Sequence, residues 1–198
     1  MKSVLYAGLI AIITLSFGAA DPVSAAKAKT LYAFHGKNDG GTPEADLIID
    51  GSGNLYGTAE AGGAHSGGTV FRINPDGTET ALYAFCALQN CADGGEPYSN
   101  LIMDSSGNLY GTTSYGGSAD KGTVFKLTPG GTETVIYSFQ SNETDGSNPR
   151  GEIVMDTSGN IYGTTIYGAG QGSVFKVSPK GKETILHGFG GYPFDGGT

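Results

Sequence analysis

The sequence predicts an all-β protein: a β-propeller-like array of four-stranded antiparallel blades, with three full units and partial flanks. Three observations carry this expectation. First, one motif occurs three times at intervals of 54 and 52 residues. It reads Asp50-Gly51-Ser52-Gly53-Asn54-Leu55-Tyr56-Gly57-Thr58, Asp104-Ser105-Ser106-Gly107-Asn108-Leu109-Tyr110-Gly111-Thr112, and Asp156-Thr157-Ser158-Gly159-Asn160-Ile161-Tyr162-Gly163-Thr164. Second, each unit holds four short strand signals separated by turn chemistry, and beyond the N-terminal segment no stretch follows the 3.6-residue apolar period of a surface helix. Third, a unit of about 50 residues cannot bury its own apolar face and must stack on its neighbours. A β-solenoid is the alternative, although its coils are usually shorter, about 20 to 30 residues. The kelch period is similar, but the chain has no Trp.

The N-terminus reads as a signal peptide over residues 1–25. Lys2 supplies the positive start, Val4 to Phe17 form the apolar stretch, and Val23-Ser24-Ala25 offers a small-residue cleavage site, with Ala26-Lys27-Ala28 as a later one. No Cys near the junction offers a lipid attachment point, and no second apolar run follows. The expectation is an exported protein, secreted or at the cell surface, without a membrane span after cleavage. The repeat domain then runs over residues 26–198, with units at approximately 44–89, 98–143 and 150–190 and a lone preceding strand at 29–34.

Within each unit, Leu47-Ile48-Ile49, Leu101-Ile102-Met103 and Ile153-Val154-Met155 are continuous apolar runs, as expected of a first strand buried on both faces. The following turn places Gly53, Gly107 and Gly159 at left-handed positions, and Asp50, Asp104 and Asp156 can accept hydrogen bonds from the turn backbone. The second strand spans Asn54 to Thr58 and its copies. A glycine-rich loop leads to the third, which reads Gly68-Thr69-Val70-Phe71-Arg72-Ile73 in the first unit. Pro75-Asp76-Gly77, Pro129-Gly130-Gly131 and Pro179-Lys180-Gly181 are turns. The fourth strand covers Glu79 to Phe85, Glu133 to Phe139 and Glu183 to Phe189.

The net charge of −8 argues against nucleic acid and anionic membranes as partners. Cys86 and Cys91 are the only cysteines, and in an oxidising compartment they are expected to form a local disulfide.

The ordered set Gly-Asn-Leu-Tyr-Gly-Thr, a Gly-Gly loop, Gly-Thr-Val-Phe-Lys-Leu-x-Pro-x-Gly, Tyr-Ser-Phe and Asp-Gly-x-x-Pro resembles the GloVer repeat, which marks exported bacterial choice-of-anchor tandem repeat proteins. The resemblance covers Leu31 to Gly197. It implies secretion, a propeller-like β architecture and surface association, and it implies no catalytic residues. The chain departs from the family pattern in having few repeats and no C-terminal sorting segment.

Candidate chemistry is sparse. Asp39, Asp93, Asp145 and Asp195 recur in the loops between units, where they either ring one mouth of the channel as a calcium or other cation site or cap their own turns. No other cofactor is expected. The glycine loop Gly168-Ala169-Gly170-Gln171-Gly172 lacks the Gly-Lys-Ser/Thr and the helix that phosphate binding needs. His35, His65 and His187 stand at unrelated repeat positions, and no nucleophile elbow is present. Tyr115 and Tyr167 lie in glycine loops where the first unit has Ala61, and they are the better candidates for an extracellular ligand such as a glycan. The functional expectation is therefore a binding or cell-surface interaction module. A propeller-type hydrolase or lyase with its site at the channel mouth is the alternative, favoured if His35, Glu60, His65 and Arg150 converge. Both ends carry ordinary repeat sequence rather than polar caps, which predicts an open arc or self-association through its blade edges.

Overall fold

The computed structural model describes residues 28–140, 144–168 and 170–190. By its contacts the chain divides into Met1–Thr30 and Leu31–Thr198. Of the first unit only residues 28–30 are described, and they are exposed and irregular. The expected signal peptide lies outside the described residues. The second unit holds all the described strands. Among the described residues no helix is long and apolar enough to cross a membrane.

Three antiparallel sheets correspond to the three repeats. The first blade runs β1 (Ile48–Ile49), β2 (Leu55–Ala59), β3 (Thr69–Ile73) and β4 (Glu79–Ala84). The second runs β5 (Ile102–Met103), β6 (Leu109–Thr113), β7 (Thr123–Leu127) and β8 (Glu133–Ser138). A further strand, β9 (Gly146–Pro149), precedes the third blade, which runs β10 (Val154–Met155), β11 (Ile161–Gly168), β12 (Ser173–Val177) and β13 (Glu183–Gly188). Strand order follows chain order in each blade, and β9 pairs with β11. No sheet closes on itself. The fold is thus all-β and propeller-like, as the repeat predicts.

The repeated motif builds the hairpin between the first two strands. Asp104 Oδ1 accepts the amides of Ser106 and Asn108, both at 2.9 Å, while Oδ2 accepts the Asn108 side-chain amide at 2.7 Å and the Tyr110 hydroxyl at 3.0 Å. Asp50 and Asp156 repeat this set. Gly107 takes the left-handed φ of +78° that the turn requires. Gly111 has a different role: a Cβ there would lie 2.5 Å from Phe125 Cζ, so its bare backbone makes room for the buried ring.

Blades are joined by a second repeated device. In each blade a β-bulge interrupts pairing of the third and fourth strands, between Val70 and Phe71, Val124 and Phe125, and Val174 and Phe175. Beyond it, Tyr83 and Phe85 share one face and reach the next unit. The Tyr83 hydroxyl donates to Asp93 Oδ2 at 2.8 Å, and Phe85 meets Phe125 edge-on with centroids 5.0 Å apart. Tyr137, Asp145, Phe139 and Phe175 repeat the clasp between the second and third blades. The apolar cores accordingly lie between blades: Val70 and Phe85 pack with Leu101, Leu109, Phe125 and Leu127.

Three expectations are corrected. The first strands are two residues long, and that of the middle blade does pack on both faces, with Leu101 and Met103 toward the first blade and Ile102 toward the third; those of the outer blades do not, Ile49 being 68% and Val154 65% exposed. Each lies at the edge of its sheet, with a neighbour on one side alone. Residues 29–34 do not form the expected lone strand, because no partner strand among the described residues pairs with them. They nonetheless make the contacts of a fourth strand, with the Tyr32 hydroxyl on Asp39 at 2.9 Å and Phe34 edge-on to Phe71 at 4.7 Å. Finally, the second strand of the third blade runs on to Gly168, through what reads as a glycine loop, because β9 pairs with its extension.

The end faces of the array are less covered than its internal interfaces. Leu47 is 48% exposed, whereas its counterparts Leu101 and Ile153 are 1% and 2% exposed. Phe189 is 40% exposed, whereas Phe85 and Phe139 are fully buried.

Candidate functional site

The linkers between blades carry the predicted acidic positions. Asp93 is fully buried. Its Oδ2 accepts the Tyr83 hydroxyl and the Ala87 amide at 2.9 Å, and its Oδ1 accepts the Leu88 amide at 3.1 Å. Asp39 accepts from Tyr32, from both the amide and Nδ1 of His35, and from the Lys37 amide. Asp145 accepts from Tyr137 and the Gln140 amide. Asp93 and Asp145 therefore hold their loops to the preceding strand, and Asp39 holds its loop to the segment that carries Tyr32. Asp195 lies outside the described residues. Among the described residues no three His, Cys, Asp or Glu side chains gather as a group that could hold a metal ion.

Each linker Asp faces a Glu at the start of a fourth strand. Glu133 and Glu183 are each pushed up to about 7, chiefly by burial and secondly by the charge of Asp93 or Asp145. Glu79 is raised in the same way, by burial and then by Asp39. In all three, Oε1 is buried with no hydrogen-bond partner.

Cys86 and Cys91 form the expected disulfide, with Sγ atoms 2.07 Å and Cα atoms 3.9 Å apart. The bond closes the linker loop after the first blade. The Cys91 carbonyl then accepts the amides of Gly94 at 2.8 Å and Gly117 at 2.9 Å, which ties this loop to the glycine loop of the second blade.

Tyr115 and Tyr167 occupy the same place on consecutive blades, two residues past the Gly-Thr-Thr that these two second strands share, and are 41% and 61% exposed. Tyr115 pairs in a β-bridge with Gly95, and a Cβ on Gly95 would lie 3.1 Å from its ring. Tyr167 pairs with Ser147 of β9. Both tyrosines thus stand where an inter-blade linker crosses the end of a blade.

Beside them is a cluster that spans all three repeats. The Tyr98 hydroxyl donates to Glu60 Oε1. The Arg150 guanidinium lies 4.4 Å from the centroid of the Tyr98 ring, and its Nη2 is 4.0 Å from Glu96 Oε2. Glu96 Oε2 also accepts from Ser114 Oγ at 3.2 Å, and Asn148 Nδ2 donates to the Ser114 carbonyl at 2.9 Å. Burial, followed by the bond to Glu60, pushes the Tyr98 phenol up to about 12, so it is a neutral donor. The Arg150 and Glu96 side chains are 46% and 45% exposed, which leaves both with unused hydrogen-bonding capacity toward solvent. A surface pair this open adds little stability.

Of the four residues whose convergence would favour an enzyme, Glu60 and Arg150 meet around Tyr98. His35 bonds Asp39 in its own loop, and His65 is exposed in a glycine loop. Tyr98, Glu96 and Ser114 join this cluster without standing out in the sequence as candidates. The signal for them was variation. The repeat position of Tyr98 holds Glu44 and Arg150 in the other units, that of Glu96 holds Thr42 and Asn148, and that of Glu60 holds Ser114 and Ile166. A cleft of about 480 Å³ between the second and third blades is lined by the repeat-constant Tyr110, Pro179 and Gly181 together with Lys126 and Lys180, whose positions hold Arg72 and Asp76 in the first unit.

Comparison with solved structures finds distant likenesses. A protein described as a putative gluconolactonase is 22% identical, with a TM-score of 0.42, over 71% of this chain and 46% of that one. A protein from Thermus thermophilus described as an oxidoreductase (glucose dehydrogenase) is 15% identical, with a TM-score of 0.43, over 72% and 46%. A protein of unknown function from Dyadobacter fermentans is 17% identical, with a TM-score of 0.45, over 74% and 51%. The chain spans about half the length of these structures. Comparison with curated proteins finds no match. The model of the Gloeobacter/Verrucomicrobia repeat matches residues 19–198, nearly the whole chain, and the repeated motifs within that span are those that form the hairpin latches and inter-blade clasps above; the chain belongs to this repeat family.

Proposed function

We propose that this protein is an exported binding module that holds a carbohydrate at the end of the blades carrying Glu60, Glu96, Tyr98, Tyr115 and Arg150. One observation carries the reading: residues that differ between repeats converge there, whereas residues that recur are engaged in the fold. In a repeat protein, the side chains that stacking requires are the same in every unit, so variation gathered in one place supports a role outside stacking. The chemistry suits a sugar. Carboxylate and guanidinium groups pair with hydroxyls, and an exposed aromatic ring offers a face to the apolar side of a pyranose. The N-terminal apolar segment and the disulfide support export into an oxidising compartment.

The test is a glycan and polysaccharide array probed with wild-type protein and with the Glu96→Gln/Arg150→Ala variant. Wild type should bind and the variant should not, at an unchanged melting temperature. Silence of the wild type across the array counts against the reading. A hydrolase or lyase is the second reading, favoured by the meeting of Glu60 with Arg150 around Tyr98; shortening of a bound glycan during incubation would select it.

A further inference from the structure

The rim is periodic as well as variable. Tyr115 and Tyr167 take the same position on consecutive blades, each paired through its backbone to the linker that enters that blade. Beside them, at another shared position, stand Glu96 and Asn148, both held in the left-handed region at φ +52° and +54°. Glu96 and Asn148 also meet through Ser114: one accepts from its hydroxyl and the other donates to its carbonyl. Each of these two blade steps therefore offers one exposed phenol ring and one polar side chain, and the two sets adjoin. The first blade lacks the ring, having Ala61 in that place.

A single sugar ring can use only one such set. A linear polymer uses both, because its own units repeat. Packed sheets lie about 10 Å apart, which is roughly the span of a disaccharide in an extended chain. The charges point the same way. The chain carries a net −8, and Glu60 and Glu96 stand at the rim against Arg150, so a polyanion is disfavoured relative to a neutral chain.

Resting on the carbohydrate reading above, we infer that the ligand is a neutral, extended polysaccharide lying along the rim, with Tyr115 and Tyr167 as stacking platforms of two successive subsites. The second subsite is reached by a tethered unit at high effective concentration, so affinity climbs with chain length until both are filled.

The experiment is calorimetric titration of the full chain with neutral β-linked glucose, mannose and N-acetylglucosamine oligomers, from the monosaccharide to about the hexamer. For whichever sugar binds, the hexamer is expected to bind at least about tenfold more tightly than the monosaccharide. Tyr115→Ala and Tyr167→Ala should each weaken hexamer binding by about fivefold to tenfold. Tyr115→Phe and Tyr167→Phe keep the ring and should restore it. Both tyrosines are exposed, so all four variants should melt as wild type does. Equal affinity for monomer and hexamer, or loss from only one of the two alanine variants, overturns the two-subsite inference and leaves the carbohydrate reading standing. Preference for a polyanionic glycan overturns it as well. Silence of the wild type toward every sugar overturns both.

Discussion

Ala59→Thr should stabilise the protein, for a reason that the repeats themselves supply. In the second blade Thr113 Oγ1 lies 2.9 Å from Thr123 Oγ1, accepts the Thr123 amide at 3.1 Å and donates to the Tyr115 carbonyl at 3.0 Å. In the third, Thr165 and Ser173 hydroxyls meet at 2.7 Å. The first blade has Ala59 opposite Thr69, both fully buried, and Thr69 Oγ1 has no partner. An unsatisfied buried hydroxyl costs about 1–3 kcal/mol. Threonine at position 59 would supply the missing partner in the rotamer that Thr113 already uses. Space exists: the neighbouring Gly40 leaves the same gap that Gly94 leaves over Thr113. The net gain should be about 1–2 kcal/mol, or a rise in Tm of about 2–8 °C for a chain of this size. Differential scanning calorimetry on wild type, Ala59→Thr and Thr113→Ala reads it out. Thr113→Ala should lose about 1–3 kcal/mol by orphaning Thr123. A destabilised Ala59→Thr, or a Thr113→Ala variant that melts with wild type, would show that the hydroxyl pair does not stabilise the blade.

Stability should peak in mildly acid solution. The Asn54 and Asn160 side-chain amides, with backbone amides of the turn, hold Asp50 and Asp156 down to about 2. Their stabilisation is present above the unfolded value of about 3.9 and is lost as pH falls toward 2. Glu133 and Glu183 are shifted the other way, to about 7, so the folded chain holds protons that the unfolded chain releases. Their contribution is full below about 4.3 and is lost as pH rises through 7. Tm should therefore fall between about pH 5 and 8, and Glu133→Gln should flatten that limb; a flat wild-type profile would count against buried carboxyls. Reducing the disulfide, or replacing Cys86 and Cys91 by Ser, should cost about 2 kcal/mol in thermal unfolding, since the closed loop is short; no change in melting would show that the loop needs no clamp. The exposed end faces at Leu47 and Val154 should drive concentration-dependent association, seen by light scattering and reduced by Val154→Lys; a monomer at every concentration would contradict this.

Much of the fold was legible because it is written three times. The third strands pair with the second in the same register in every blade, with Leu55 opposite Ile73, Leu109 opposite Leu127 and Ile161 opposite Val177, as three copies of one motif should. The turn roles of Asp104 and Gly107 were also readable, since hairpin chemistry is local. What escaped was long-range. A run such as Leu47-Ile48-Ile49 reads alike whether its strand is central or at an edge, and only the array decides that Ile49 faces solvent. The extension of β11 depends on β9, a linker whose residues read as a turn. The cluster joins Glu60, Tyr98 and Arg150 from three units, and no local pattern states that two linkers and the loop after β2 meet at the same end of the blades.

On the proposed function, recurring residues hold the blades together and varying residues at the rim meet the ligand. Amide chemical-shift mapping of the labelled protein during titration with the glycan selected on the array tests this claim. Shifts should concentrate at Glu60, Glu96, Tyr98, Ser114, Tyr115 and Arg150, with the Asp104–Tyr110 hairpin unmoved. Shifts centred on that hairpin, or on the cleft beside Lys126 and Pro179, would contradict the claim.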